Sequence, residues 1–244
     1  MRIPRVYVSQ TLGPGARVAL DERAAGHVAR VLRLRAGAEL IVFDGNGGEY
    51  VAVLREVRKG AVVAELGDHL PRDAEPPVEL ILAQGISRSE RMSFTLQKAV
   101  ELGVSRILPL WTERSQVRLS GERLANRIRH WEGVVISACE QCGRTRIPVV
   151  ECAQSLTDPD WSDARFGTKI MLDPKAAVGL RELNGAFQRC TLLAGPEGGL
   201  SGAEHQAAVD AGFTGISLGP RVLRTETAAL AALAAIQALW GDLC

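Results

Sequence analysis

The chain has 244 residues, of which 46% are hydrophobic and 23% are charged. These fractions are typical of folded proteins and argue against disordered, collagen-like and disulfide-stapled chains. A typical domain has roughly 150 residues, so the length predicts one large domain or two modest ones. The formal net charge is only +1. Whole-chain charge therefore does not indicate a nucleic-acid partner.

The N-terminus and the cysteines predict a cytoplasmic protein. The opening residues, MRIPRVYVSQ, lack the apolar run of a secretion signal, and the apolar stretch 228–240 is shorter than the ~20 residues of a membrane span. An odd number of cysteines in such a chain favours reduced thiols over a disulfide framework. The five are Cys139, Cys142, Cys152, Cys190 and Cys244.

Residues 1–70 are predicted to form a small, mostly β-stranded domain with one helix at about 21–33. The DGNGG sequence at 44–48 predicts a hairpin turn, because φ angles above zero at successive positions favour Gly and Asn. Several short strands in about 70 residues indicate a small β-barrel. The strands are expected at 5–9, 38–44, 49–56 and 61–66.

The sequence PRDAEPP at 71–77 predicts a linker, since its prolines and charges would interrupt a helix or a central strand. Beyond it, strands and helices alternate from residue 78 to residue 244. Alternation of this kind predicts an α/β domain with a parallel sheet covered on both faces. Strands are expected at 78–83, 106–111, 147–151, 169–173, 190–194 and 215–218, and helices at 91–102, 121–140, after Ser201 and at 225–240.

Two of these helices carry further signals. Ser201 and Glu204 have the spacing of a capping box, which marks a helix start. In the last helix, apolar residues recur at the spacing of one helical face, which predicts packing against a sheet or a partner subunit. They are Ala229, Leu233, Ile236 and Trp240.

Charge is unevenly distributed along the chain. Residues 86–146 contain eleven basic and six acidic residues, a net charge of +5, whereas residues 148–244 have a net charge of −4. A basic segment within a neutral protein can contact phosphate groups. A solvated, arginine-rich helix face is the alternative reading of the same count.

Two glycine-bearing segments follow predicted strands, where open α/β sheets bind ligands. They are LAGPEGGL at 193–200 and LGPRVLRTETA at 218–228. Neither has the spacing of a Walker A loop or of a dinucleotide-binding glycine motif. Closely spaced glycines allow a ligand to approach the backbone, which suits an adenine or a ribose. A helix C-cap with a tight turn is the alternative.

The sequence contains no convincing metal or hydrolase motif. Cys139 and Cys142 have the spacing of a zinc or redox pair, but no second ligand pair follows at a suitable distance, so packing within a helix is favoured. The four histidines are scattered and adjoin no nucleophile motif. No metal is therefore expected.

Four motifs together resemble the 16S ribosomal RNA uracil-N3 methyltransferase family, which belongs to the SPOUT class of knotted methyltransferases. They are MSFTLQKAVELGV at 92–104, CEQCGR at 139–144, GPEGGLS at 195–201 and LGPRVLRTETA at 218–228. HVARVLRLR at 27–35 and FDG at 43–45 are similar to the family's N-terminal domain. The resemblance therefore covers nearly the whole chain.

This resemblance implies a PUA-like β-barrel at residues 1–70 and a SPOUT α/β domain with a C-terminal trefoil knot at residues 78–244. It also implies a homodimer, S-adenosylmethionine as methyl donor, and N3 of one uridine near the 3′ end of 16S ribosomal RNA, within the small ribosomal subunit, as acceptor. Three knot loops would hold the cofactor. The implied cofactor-binding residues are Leu172, Gly195, Pro196, Glu197, Gly198, Gly199, Leu218, Gly219, Leu223, Arg224, Thr225, Thr227 and Ala228.

We hypothesise that Arg224, at the opening of the last helix, stabilises the uracil oxygen on which charge develops, because a helix N-terminus also favours anions. Glu197 or Glu226 would accept the N3 proton directly or through water. A mutual ion pair between Arg224 and Glu226, or a cap that shapes the loop, is the structural alternative.

Exposed arginines are the candidates for RNA phosphate contacts, which fix register without reading sequence. They are Arg30, Arg33, Arg35, Arg88 and Arg91. Two other functions stay open at this point. One is a non-catalytic RNA-binding factor for ribosome assembly, and the other is a methyltransferase of a different RNA. The cofactor loops argue against the first, but the residues alone do not name the target nucleotide.

Overall fold

The computed structural model describes residues 3–58, 60–115, 120–183 and 188–243. Cys244, one of the predicted reduced thiols, lies outside them. The chain forms two compact units. The first contains Met1–Glu75 and Cys139–Ile147, and the second contains Pro76–Ala138 and Pro148–Cys244. No helix among the described residues is long and apolar enough to cross a membrane.

The first unit is built on a five-stranded sheet in the order β1-β3-β4-β5-β2. β1 pairs with β3 in parallel, and the other pairs are antiparallel. The predicted strands and helix are all present, and β2 is an additional strand. The elements are β1 (Arg5–Tyr7), β2 (Arg17–Ala19), α1 (Glu22–Gly26), a π-helical turn (His27–Val31), β3 (Glu39–Phe43), β4 (Glu49–Arg58) and β5 (Ala61–Leu70).

The turn between β3 and β4 has the predicted hairpin chemistry. Gly45, Gly47 and Gly48 have φ angles of 87°, 100° and 72°, values that favour glycine. The Asp44 carboxylate accepts a hydrogen bond from the Asn46 amide at 3.1 Å. This local bond and the three positive φ angles explain why the sequence DGNGG turns the chain here.

The segment Cys139–Ile147 packs into the first unit although it lies far along the chain from the unit's other residues. Glu140 Oε1 accepts hydrogen bonds from the Tyr7 amide at 3.0 Å and from the Arg23 guanidinium at 3.1 Å. The Arg144 guanidinium binds Glu75, and the Arg144 carbonyl accepts from Arg5 at 3.2 Å. Buried charges need such partners, which explains why this segment is held in place.

The second unit is built on a parallel sheet in the order β12-β10-β11-β6-β7-β8, and β9 also pairs with β7. All its strand pairs are parallel, as predicted. The elements are β6 (Glu79–Gly85), α2 (Ser89–Glu101), β7 (Val104–Trp111), α3 (Gly121–Cys142), β8 (Val149–Val150), β9 (Gln154–Ser155), β10 (Thr168–Leu172), β11 (Arg189–Ala194), α4 (Gly202–Asp210), β12 (Thr214–Ile216) and α5 (Thr225–Trp240).

The central strand β6 is covered on both faces. Successive residues of a strand point to opposite faces, and the four residues Leu80, Ile81, Leu82 and Ala83 are all fully buried. This continuous apolar run is what a doubly covered parallel sheet requires. The carboxyl ends of β10, β11 and β12 lie at one edge of the sheet, so the loops that follow these strands are brought together there.

Candidate cofactor and catalytic site

Three loops at the carboxyl edge of the second unit's sheet surround one cavity of about 820 Å³. The loops follow β10 and β11 and precede α5. Most of the predicted cofactor residues line this cavity, whereas Leu218, Gly219 and Thr227 do not. The lining contains Leu172, Gly195, Pro196, Glu197, Gly198, Gly199, Leu223, Arg224, Thr225 and Ala228.

Two glycines of the loop after β11, Gly195 and Gly198, have close neighbours where a side chain would begin. A Cβ added to Gly198 would lie 2.8 Å from the Arg114 Cβ, and one added to Gly195 would lie 3.2 Å from the backbone of Gly199. Gly199 itself has a φ angle of 67°. Arg114 donates to the carbonyls of Gly198 and Leu200 at 3.0 and 3.2 Å. The loop's glycines therefore serve its shape as well as its access to a ligand.

Gln84, at the end of β6, joins this loop to the start of α5. Its side chain is completely buried. Gln84 Nε2 lies 3.4 Å from the Gly195 carbonyl and 3.3 Å from Thr225 Oγ1. Thr225 Oγ1 in turn donates to the Gly195 carbonyl at 2.5 Å. Buried hydrogen bonds of this kind fix the loop and the helix start as one unit.

Arg91 lies between the two predicted proton acceptors. Its guanidinium is 3.4 Å from Glu197 Oε1 and 3.8 Å from Glu226 Oε1. Glu197 Oε1 also accepts from the Arg88 amide at 3.1 Å. Glu226 Oε2 is buried and has no hydrogen-bond partner among the described residues. Glu197 lines the cavity and Glu226 does not, so Glu226 borders the cavity only through its pair with Arg91.

Arg224 is the residue just before the first turn of α5, and its exposed side chain lines the cavity. The structural alternative, a mutual Arg224–Glu226 ion pair, is not among the ion pairs of the described residues, because Glu226 pairs with Arg91 instead. Arg224 also makes no side-chain cap of α5. Its guanidinium is therefore available to a ligand.

The sequence patterns missed two members of the site. Asp173 Oδ2 lies 3.0 Å from His205 Nε2, and both residues line the cavity. Asp173 Oδ1 accepts from the Lys175 amide at 2.8 Å. Asp173 follows β10 and His205 lies in α4, so no local spacing in the sequence could have linked them.

The predicted RNA-binding residues do not form one set. Arg30, Arg33 and Arg35 lie in the first unit and are exposed. Arg33 has a φ angle of 54°, the one positive value among the non-glycine residues that the structure describes. In the second unit, Arg88 is exposed, and Arg91 is occupied by carboxylates at the cavity.

The predicted packing role of the cysteine pair agrees with its surroundings. Cys139 is buried, and burial raises the pKa of its thiol to about 12. The helix α3 continues through Cys142. A thiol that stays protonated is a poor metal ligand and a poor nucleophile. Within the described residues, no group of three or more His, Cys, Asp or Glu side chains could hold a metal ion.

Comparison with known proteins places this architecture in a family. A family model described as an RNA methyltransferase domain matches residues 74–237, and one described as an RNA methyltransferase PUA domain matches residues 20–67. Ribosomal RNA small subunit methyltransferase E of Buchnera aphidicola is 34% identical, with 99% of this chain and 98% of that protein covered. The same enzyme of Mycobacterium bovis is 32% identical, with 96% and 90% covered.

Solved structures agree with these relatives. A methyltransferase from Legionella pneumophila, in complex with the bound cofactor S-adenosylmethionine, has a TM-score of 0.94 and 40% identity, and both chains are covered completely. Ribosomal RNA small subunit methyltransferase E from Neisseria gonorrhoeae, bound to S-adenosylmethionine, has a TM-score of 0.92 and the same identity and coverage.

The fold is thus that of an RNA methyltransferase with an N-terminal PUA-like domain. The chain belongs to the family of ribosomal RNA small subunit methyltransferase E. The predicted family, enzyme class and two-part architecture are confirmed, and the predicted cofactor agrees with the two complexes. The trefoil knot stays a prediction, since strand pairing alone does not record how loops are threaded.

Proposed function

We propose that this protein methylates N3 of a uridine near the 3′ end of 16S ribosomal RNA, with S-adenosylmethionine as methyl donor. The N3–H bond breaks and its proton passes to the protein or to water; the N3–methyl bond forms as the sulfur–methyl bond of the donor breaks, and S-adenosylhomocysteine is the leaving group. The observation that supports this most strongly is that one cavity brings together the glycine-rich loop with Glu197, Arg224 and Arg91, and Arg91 in turn pairs with Glu226.

The cavity suits the cofactor in size and in chemistry. Its volume of about 820 Å³ lies in the range of small-molecule sites, which is roughly 300–1,000 Å³. Leu172, Leu223 and Ala228 supply apolar walls, and the backbone of the Gly195–Gly199 turn supplies polar groups. When bound, S-adenosylmethionine supplies an activated methyl group on its sulfonium, so the reaction needs no metal.

The cofactor-binding set we propose contains the residues of the three loops. In addition to the lining residues given above, it includes Leu218, Gly219 and Thr227, which support the loop that precedes and opens α5. Gln84 and Thr225 hold this loop against the Gly195 carbonyl. The chain's main contribution is a fixed geometry, because holding reactants in line is worth several kcal/mol of barrier.

Arg224 is the residue that favours the deprotonated base. Uracil N3 becomes nucleophilic only when its proton leaves, and the charge then spreads to O2 and O4. One charge-assisted hydrogen bond contributes about 1.5–3 kcal/mol, enough to favour the anion by roughly one to two pKa units. The position of Arg224 at a helix N-terminus adds to this effect.

Glu226 is the proton acceptor in this mechanism. Its Oε2 has no partner among the described residues, while Arg91 holds the other oxygen and orients the carboxylate. Glu197 has a different role, because its Oε1 binds both the Arg88 amide and Arg91. It positions Arg91 at the cavity rim and remains the second candidate for the proton.

We further propose three functional regions: an RNA-binding PUA-like domain at 1–70, a linker at 71–77 and a methyltransferase domain at 78–244, which contributes the segment Cys139–Ile147 to the first unit. Arg30, Arg33, Arg35, Arg88 and Arg91 contact RNA, with Arg91 also holding the carboxylates. The substrate is the assembled small subunit in the cytoplasm, and the protein acts as a homodimer, because recognition of folded RNA calls for a larger surface than one 26.2 kDa chain.

The direct test is transfer of labelled methyl to small ribosomal subunits and to protein-free 16S ribosomal RNA, each lacking its own modification. We expect 3-methyluridine by nucleoside mass spectrometry, with subunits preferred over free RNA. A different methylated nucleoside would contradict the N3 assignment. No incorporation, with S-adenosylmethionine binding confirmed by calorimetry, would favour a non-catalytic assembly factor or another RNA.

A further inference from the structure

A second surface feature of the second unit lies outside the cofactor cavity. A groove of about 410 Å³ runs between the start of α2 and the first half of α3. We call it the basic groove. It is lined by Ser89, Arg123, Asn126, Arg127 and His130.

Helical spacing explains why these side chains share one groove. Arg123, Arg127 and His130 stand at i, i+4 and i+7 of α3, so they lie on one face of the helix. On the opposite side, the Ser89 hydroxyl accepts a hydrogen bond from Arg127, and Ser93 Oγ lies 3.1 Å from His130 Nε2. Neutral polar contacts, rather than ion pairs, therefore hold Arg127 and His130.

The two groove arginines differ from several other arginines of this unit, which pair with carboxylates. Arg91, Arg106 and Arg189 each pair with a glutamate. Neither Arg123 nor Arg127 pairs with a carboxylate among the described residues. The nearest acidic residues in the sequence, Glu122 and Glu132, and Glu90 beside Ser89 on α2, have exposed side chains and make no ion pair with them among the described residues. Uncompensated guanidinium groups side by side favour an anionic partner.

The basic groove also lies beside the cofactor cavity. Ser89 and Arg91 belong to the same first turn of α2, and Ser89 lines the groove while Arg91 lines the cavity. A nucleic-acid strand whose reactive base enters the cavity must place its neighbouring phosphates close to that turn. Guanidinium groups bind phosphate through paired N–H donors, which matches Arg123 and Arg127.

We propose that the basic groove binds backbone phosphates of the RNA strand next to the methylated nucleotide. The proposal rests on the proposed function for the nature of the substrate. Phosphate contacts position a strand without reading its bases or taking part in chemistry. Loss of these contacts should therefore weaken RNA binding while cofactor binding and maximal turnover persist.

The test compares two double variants with equal changes in charge. Arg123→Gln/Arg127→Gln removes the groove cations, and Arg165→Gln/Arg181→Gln removes two exposed arginines elsewhere in the same unit. Binding of unmodified 16S ribosomal RNA and of unmodified small subunits is measured across a range of salt concentrations. Circular dichroism and sedimentation establish that each variant keeps the fold and the oligomeric state of the parent.

For the groove variant we expect a Kd for RNA about tenfold higher at 0.15 M salt. The slope of log K against log salt should fall by about 1.4, since each phosphate contact on a single strand contributes about 0.7. The Kd for S-adenosylmethionine and kcat at saturating RNA should stay within twofold. The control variant should keep the parent's slope.

Three results would overturn the proposal: an unchanged slope in the groove variant, an equal loss in the control variant, or a change of oligomeric state that accounts for the lost affinity. The last result would mean that the groove contacts a second copy of the chain. Failure of the proposed function has a different signature, namely a parent protein that binds both RNA and S-adenosylmethionine but transfers no methyl group. RNA binding still reports on the groove in that case.

Discussion

The cofactor cavity and the arginine-bearing surfaces use charge in opposite ways. At the cavity, Arg91 is paired with two glutamates, and Arg114 is bound to backbone carbonyls of the glycine-rich loop. In the basic groove, Arg123 and Arg127 have no carboxylate partner among the described residues. Arg91 and Arg114 are thus satisfied within the protein, whereas Arg123 and Arg127, like Arg224 in the cavity, remain available to a ligand.

This difference separates two kinds of binding. A cavity whose walls are fixed by buried hydrogen bonds and tight glycine contacts binds a small ligand by geometry, so salt should affect it little. A surface of uncompensated arginines binds a polyanion by releasing counterions, so salt should affect it strongly. Substitutions in the two regions should accordingly change different measured quantities.

The largest effect is expected where the cavity is most tightly packed. In Gly85→Ala the new Cβ would lie 2.6 Å from the Pro196 ring and 3.0 Å from the Gly195 carbonyl carbon, so the loop after β11 must move. Overpacking costs about 1–3 kcal/mol, and its upper end corresponds to about 100-fold. We expect the Kd for S-adenosylmethionine to rise by about 100-fold in calorimetry, with RNA affinity unchanged.

Gly133→Ala is the matched control for this prediction. Gly133 lies in α3, and a Cβ there would meet nothing within 4 Å. Alanine also favours a helix over glycine by about 1 kcal/mol. The control should bind the cofactor normally and unfold at a slightly higher temperature. Normal cofactor binding by Gly85→Ala would show that the glycine-rich loop moves easily to admit a side chain and is less rigid than its close contacts indicate.

The second prediction concerns the one free arginine side chain that we place in the reaction. Arg224→Ala should lower kcat by about 30-fold, within the 10- to 150-fold that one charge-assisted hydrogen bond is worth. The Kd for S-adenosylmethionine should change by less than threefold, because Arg224 acts on the uracil. Single-turnover methyl transfer at saturating cofactor and RNA measures the effect.

Arg221→Ala controls for charge near the site. Arg221 is exposed in the same loop and does not line the cavity. We expect its turnover to match that of the parent. Equal losses in both variants would mean that the loop's charge, rather than the position of Arg224, supports the reaction, and unchanged turnover in Arg224→Ala would remove this residue from the mechanism.

Local sequence patterns predicted many of the helices, strands and turns because these elements follow regular local rules. The alternation of strands and helices, the DGNGG turn and the Ser201–Glu204 capping box all depend on residues close together in the chain. The glycine-rich loop was found for the same reason. The strands β2 and β9 were missed because three and two residues are too few to show a hydrophobic period.

Contacts between distant residues were beyond these patterns. Gln84 meets Thr225 across 141 positions, and His205 meets Asp173 across 32. The attachment of Cys139–Ile147 to the first unit also depends on such contacts. The family resemblance identified these loops as cofactor-binding loops. The structure added which of their side chains already have hydrogen-bond or ion-pair partners within the chain.

The third prediction extends the comparison to the first unit. Replacing Arg30, Arg33 and Arg35 together with glutamine should raise the Kd for RNA about tenfold at 0.15 M salt, and in any case by less than 30-fold. The slope of log K against log salt should fall by about 2. Cofactor binding should not change. Filter binding across salt concentrations, with unmodified small subunits as ligand, measures both values.

A matched triple variant is available in the same unit. Arg17, Arg55 and Arg58 are exposed but pair with Glu65 or Glu56. Glutamine at these three positions removes the same charge as the first triple variant, but from arginines that already have a carboxylate partner. Its salt slope should fall less than that of the first triple variant. Equal slopes in the two variants would mean that pairing with glutamates does not distinguish binding arginines from structural ones.

The smallest effect is expected for a residue of the cavity wall that also caps a helix. Ser201 caps α4 by accepting a hydrogen bond from the Glu204 amide at 3.2 Å, so Ser201→Ala should cost about 1 kcal/mol of unfolding free energy in urea. Asp21→Ala, which removes the cap of α1 in the first unit, should cost a similar amount. Both variants should bind S-adenosylmethionine within threefold of the parent. A tenfold loss in Ser201→Ala alone would show that Ser201, which lines the cavity, contacts the cofactor as well as the helix, and that capping and binding share one side chain there.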